Sequence, residues 1–105
     1  MLDCQYIKGI DLVSRDIAGE TIIVPIKGHV GDLNNIYSLN EAGSIIWGLI
    51  DGRRRVEGII KETCEEFEVS QGEAERDVLD FLGSLRDAGL IRPVDTEERL
   101  VNDVT

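Results

Sequence analysis

Residues 36–52 read IYSLNEAGSIIWGLIDG, and a change of period inside this stretch decides the fold. Ile36 and Ser38 fall on one face and Tyr37 and Leu39 on the other, the two-residue alternation of a strand over Asn35 to Leu39. From Ala42 the apolar residues follow a different rule. Ala42, Ile45, Ile46, Leu49 and Ile50 fall at i, i+3, i+4, i+7 and i+8, one face of a helix. Asn40 stands between the two patterns as an N-cap, and Gly52 follows as a helix stop. The sequence therefore predicts a strand that runs directly into a helix.

Upstream of this junction the chain reads as extended. Leu12, Val13 and Ile17 alternate loosely with Ser14, Arg15 and Asp16. Ala18-Gly19 breaks the pattern, and Thr21, Ile22, Ile23, Val24 and Ile26 form a β-branched run. Two such runs around a glycine-containing turn predict a hairpin. Lys27 to Asn34 contains Gly28, Gly31, Asp32 and Asn34, which is loop chemistry.

Downstream, two more helices are predicted. Val56, Ile59, Ile60, Cys64 and Phe67 form one stripe. Arg53, Arg54 and Arg55 precede it, unfavourably placed against the helix dipole. Ser70-Gln71-Gly72-Glu73 is a capping-box pattern for the next helix. That helix carries Ala74, Val78, Phe81, Leu82 and Leu85 and ends at Gly89, with Leu90 placed to complete a Schellman-type cap. About two residues around Val69 join these helices, as in a helix-turn-helix. The expected fold is α+β, a three-stranded antiparallel sheet followed by three helices, winged helix-turn-helix-like. Residues 1–93 form the expected domain, and residues 94–105 a flexible acidic tail.

Composition narrows the partners. The 105 residues include 21 Asp+Glu and 11 Lys+Arg, a formal charge of −10. Residues 1–55 hold 7 acids and 6 bases, so the excess lies beyond residue 55. The third helix carries Glu73, Glu75, Asp77, Asp80 and Asp87 against Arg76 and Arg86. A recognition helix with that balance is repelled by the phosphate rows that flank a major groove. Neither nucleic acid nor an anionic membrane surface is expected as a partner. No apolar run approaches membrane-spanning length, and residues 1–10 lack a charged start followed by an apolar run, so a cytoplasmic protein is expected.

No enzyme signature is visible. His29 is the sole histidine and lies in a glycine-rich loop with no orienting partner. Gly28-His29-Val30-Gly31 lacks the Lys-Ser/Thr of a phosphate loop. Cys4 and Cys64 form no CxxC, so neither metal nor disulfide is expected, and Cys64 reads as a buried thiol. Trp47 is expected to pack at the edge of its helix. No cofactor is expected. What remains is recognition. A free edge on the strand Asn35 to Leu39 can accept a peptide as an added strand, while the blander reading makes this strand a core element only. The alternative is a winged-helix interaction or regulatory module.

The residues of the opening stretch, with Val56-Glu57-Gly58-Ile59-Ile60, Asp77-Val78-Leu79-Asp80-Phe81-Leu82 and Gly89-Leu90-Ile91, resemble the PqqD family over about residues 10–92. Ile36 to Gly52 is similar to the family pattern YxLNxxGxxIWxLlDG. These are small proteins of pyrroloquinoline quinone biosynthesis and related peptide-modification systems. The resemblance implies a non-catalytic chaperone, a recognition element for ribosomally made precursor peptides. It would bind the leader of its precursor and present it to a radical S-adenosylmethionine enzyme or another peptide-modifying enzyme. It further implies that the leader adds beside Asn35, Ile36, Tyr37, Ser38 and Leu39. The third helix would wall the groove with Asp77, Val78, Phe81, Leu82 and Leu85. Helical spacing does not say which of these touch peptide and which are core. The acidic third helix would set basic groups of a bound peptide nearby. A monomer or weak dimer is expected. Arg55 departs from the family's Thr or Ser cap, which predicts a looser helix start.

Overall fold

The computed structural model describes residues 4–27, 30–31 and 36–94. The strands are β1 (Tyr6–Lys8), β2 (Leu12–Ile17), β3 (Glu20–Lys27), β4 (Val30–Gly31), β5 (Tyr37–Leu39) and β6 (Ile91–Pro93). The helices are α1 (Glu41–Leu49), α2 (Val56–Phe67) and α3 (Gln71–Asp87), lying between β5 and β6. His29, Asn35 and residues 95–105 lie outside the described residues.

The predicted hairpin forms. Ala18 and Gly19 have φ of 53° and 85°. Positive φ at both turn positions matches the right-handed twist of the flanking strands. β3 is the middle strand: it pairs antiparallel with β2, with Val13 opposite Val24, and with β5, with Ile23 opposite Tyr37. Val30–Gly31 pairs back onto Ile26–Lys27, inside the stretch expected as loop.

With β4, two further strands go beyond the expected three strands and three helices. β1 and β6 form a separate two-stranded sheet that ties residues 6–8 to residues 91–93. Here Ile7 opposes Arg92. Pro93 lies on an edge strand of this two-stranded sheet, where a missing N–H is tolerated. The next residue, Val94, donates its N–H to the Gln5 carbonyl at 2.9 Å.

The helices close over one face of the sheet. Thr21, Ile23 and Leu39 are buried on that face, while Ser38 and Ile36 on the opposite face are exposed. The core joins Ile23 and Leu39 to Ile46, Trp47, Ile50, Val56, Ile59, Ile60, Val78, Leu82 and Leu85. On α1 the buried face is rotated from the predicted stripe. Gly43, Ile46 and Trp47 are buried, while Ala42, Ile45 and Leu49 are half-buried. Trp47 is thus a core residue, 3% exposed, rather than an edge residue. Glycine lets the helix approach Leu39 and Phe81 closely at position 43.

Caps fix the helix ends. Asn40 accepts the Gly43 N–H at 2.9 Å, and Ser70 accepts the Glu73 N–H at 3.2 Å. Arg55 caps α2 with no side-chain bond, as its residue type predicts. The Val56 N–H instead reaches the Cys4 carbonyl at 2.9 Å, so the segment before β1 satisfies one exposed donor of α2. At the end of α3, Leu90 N–H bonds the Leu85 carbonyl and Gly89 N–H bonds the Arg86 carbonyl. With Gly89 at φ 78°, this is the predicted Schellman arrangement.

Candidate functional site

The fold brings β5 beside α3, and a groove opens between them. Its volume is about 450 Å³, and its walls are Ser38, Leu39, Asn40, Ala42, Gly43, Ile46, Asp77 and Phe81. Each residue arrives by a local rule. β5 alternation turns Leu39 inward and leaves Ser38 outward. The Asn40 cap starts α1 at once, so Ala42 and Gly43 of its first turn form the floor. On α3, Asp77 and Phe81 are four residues apart and share a side of the helix.

The predicted α3 residues separate into two sets. Asp77 is exposed and Phe81 half-buried, and both line the groove. Val78, Leu82 and Leu85 are 0%, 2% and 4% exposed and belong to the core. They hold the wall from behind and offer no surface to the groove. The same stripe serves both purposes because the groove meets the helix at its flank, so only the outer positions remain uncovered.

Among the β5 residues, Tyr37 is half-buried, Ser38 exposed and Leu39 buried, and Ile36 precedes the strand at 47% exposure. β5 pairs with β3 along one edge. Among the described residues no strand occupies its other edge, and an edge of that kind can accept an incoming chain. β2 is also an edge strand, but every one of its residues after Leu12 is exposed.

Asn40, Ala42, Gly43 and Ile46 were not among the predicted contacts. A signal for Ala42 and Gly43 exists in the sequence: two small residues in the first turn of a helix that follows a strand by one residue. Such residues leave room that larger side chains fill.

Among the described residues, no group of three or more His, Cys, Asp or Glu side chains is arranged to hold a metal ion. No helix among them is long and apolar enough to cross a membrane. Cys64 is half-buried, with its Sγ 2.9 Å from the Val69 carbonyl, which accepts its hydrogen bond.

Comparison with known proteins bears on this groove. The family model described as Coenzyme PQQ synthesis protein D (PqqD) matches residues 20–91. A solved structure of TbiB1 in complex with the TbiA(beta) leader peptide is similar in fold, with a TM-score of 0.71 and 27% sequence identity. The match covers 85% of this chain and 98% of that one. No curated protein matches the chain.

Proposed function

Because the chain belongs to the PqqD family, we propose that it is a non-catalytic chaperone for a ribosomally made precursor peptide. The leader of the precursor adds as a strand to the open edge of β5 and rests its side chains in the groove against α3. The chain then presents the precursor to a modifying enzyme. In this proposal the enzyme is of the radical S-adenosylmethionine type, and the site of action is the cytoplasm.

One observation carries the reading: a strand edge with no partner strand among the described residues lies directly beside a groove walled by Phe81, in a fold similar to one solved with a leader peptide. Strand addition draws affinity from backbone hydrogen bonds and specificity from alternate side chains. The groove supplies a place for those alternate side chains. In this reading the chemistry falls to the partner enzyme, and the chain supplies recognition.

The test uses isotope-labelled protein and synthetic peptides covering short reading frames that neighbour its gene. A leader should shift the backbone amides of residues 36–43 and 74–88. Shifts confined to other parts of the chain would remove the proposal.

A further inference from the structure

Resting on the leader reading above, we infer that the groove selects a leader segment in which a basic side chain stands two residues from a large apolar one, the base facing Asp77 and the apolar group facing Phe81. Three observations lead there.

First, Asp77 is the sole charged residue among the eight that wall the groove. It is exposed, and among the described residues it has no ion-pair or hydrogen-bond partner. The other walls are apolar or neutral, so an incoming cation meets one fixed anion and no competing base. Glu73 and Asp80 lie four residues before and three after it on α3, and Arg76, three after Glu73 and four before Asp80, neighbours those two and is not a wall of the groove.

Second, Phe81 offers a half-buried ring at the groove wall next to the buried Ile46 and Gly43. A large apolar side chain covers this surface, and a small polar one leaves it wet.

Third, the spacings agree. Alternate residues of a strand point the same way and lie about 6.6 Å apart. Asp77 and Phe81, four residues apart on a helix, are separated by about 6 Å along the axis. A strand that runs along α3 therefore reaches both with two consecutive inward-facing side chains. Whichever way the peptide runs, the pair is separated by a single outward-facing residue.

The probe is a phage-displayed library of random twelve-residue peptides, selected on the intact protein and in parallel on Asp77→Asn and Asp77→Lys. Asp77 is exposed and unpartnered, so both variants should fold. Peptides enriched on the native protein should carry Lys or Arg two positions from Phe, Tyr, Leu or Ile. Asp77→Asn should lose the basic preference and keep the apolar one, and Asp77→Lys should replace it with Asp or Glu. One selected peptide, made synthetically, should bind Asp77→Asn about fivefold more weakly, the upper range for a partly exposed ion pair. An apolar preference with no basic partner on the native protein, unchanged in both variants, overturns this inference and leaves the leader reading standing. Selected peptides that leave the amides of residues 36–39 unmoved overturn both.

Discussion

Phe81 packs against Gly43: a β-carbon placed on Gly43 would lie 3.3 Å from Phe81 Cζ and 3.3 Å from Leu39 Cβ. Glycine here lets the first turn of α1, the end of β5 and the ring on α3 meet at one point. Gly43→Ala gains up to about 1 kcal/mol of helix propensity, but the Phe81 ring and Leu39 must both give by a few tenths of an ångström. Stability should stay within about 1 kcal/mol of the native chain, because the two effects oppose each other. Binding of a peptide that shifts the β5 amides should weaken several-fold, since the displaced ring enters the space it uses. Thermal melting together with calorimetric titration separates the two readouts. Native affinity in Gly43→Ala would mean that the contact is structural only.

Phe81 and Leu82 are neighbours in sequence with different duties. Leu82 is 2% exposed in the core. Leu82→Ala should cost about 2–5 kcal/mol of stability. Phe81 is half-buried on the groove wall. Phe81→Ala should cost less stability than Leu82→Ala, yet should weaken peptide binding by tenfold or more, measured well below the melting temperature of each variant. The opposite ranking in the binding assay would place the peptide elsewhere.

This division of labour explains how much the sequence revealed. The switch from alternation to helical spacing at Asn40 located β5 and α1, and the Ser70 and Gly89 signals bounded α3. Those features are local, and each depends on a few adjacent residues. β1 and β6 were not legible: three-residue strands carry almost no periodicity, and Tyr6 meets Pro93 only because the chain returns from α3. Of the three elements that wall the groove, β5 and α3 were the two expected to face a peptide, and α1 was not. The same α3 stripe held core and wall residues together, and which flank stays uncovered depends on how β5 and α1 sit against it. Gly43 and Ile46 entered the wall for that reason.

Lys8 places its Nζ 4.8 Å from the centre of the Trp47 ring. Burial lowers the Lys8 pKa below its ordinary 10.5, opposed by Asp16 and Asp51. With the folded value below the unfolded one, the folded state releases this proton first. The desolvation penalty on Lys8 is therefore fully present at neutral pH and is relieved as pH rises through the folded pKa. Trp47 is the sole tryptophan, so its emission reports the event. A fluorescence transition is expected in the alkaline range below pH 10.5, and Lys8→Met should abolish it. A transition that survives in Lys8→Met belongs to another group.

Asp51 accepts the backbone N–H groups of Arg53 at 2.9 Å and Arg54 at 2.8 Å, and its other oxygen meets Arg54 Nη1 at 3.0 Å. The Arg54 backbone hydrogen bond, foremost, holds its carboxyl below the ordinary 3.8. The folded pKa is depressed, so the stabilisation is present above about pH 4 and is lost as pH falls through the folded value. Exposure of both side chains limits it to about 0.5–1 kcal/mol. Asp51→Asn retains an amide oxygen for the turn but no charge. The stability gap between native protein and variant should be present at pH 6 and shrink below pH 4 in parallel urea titrations. A gap independent of pH would assign the effect to turn geometry alone.

Arg55 sits at the N-cap of α2 with φ −77° and ψ 157°, a conformation suited to a capping side chain, yet it makes no cap bond. Its charge also stands at the positive end of the helix dipole. Arg55→Ser keeps the backbone, adds an acceptor for one of the helix's unpaired N–H groups and removes the unfavourable charge. A gain of about 0.5–1.5 kcal/mol is expected from those two effects together. The cap lies on α2, whereas the groove is built from β5, α1 and α3, so peptide affinity should be unchanged. Melting and titration of the same sample check both. A stabilised variant with altered affinity would show that the start of α2 is coupled to the groove, through Val56 and the segment before β1 that accepts its N–H.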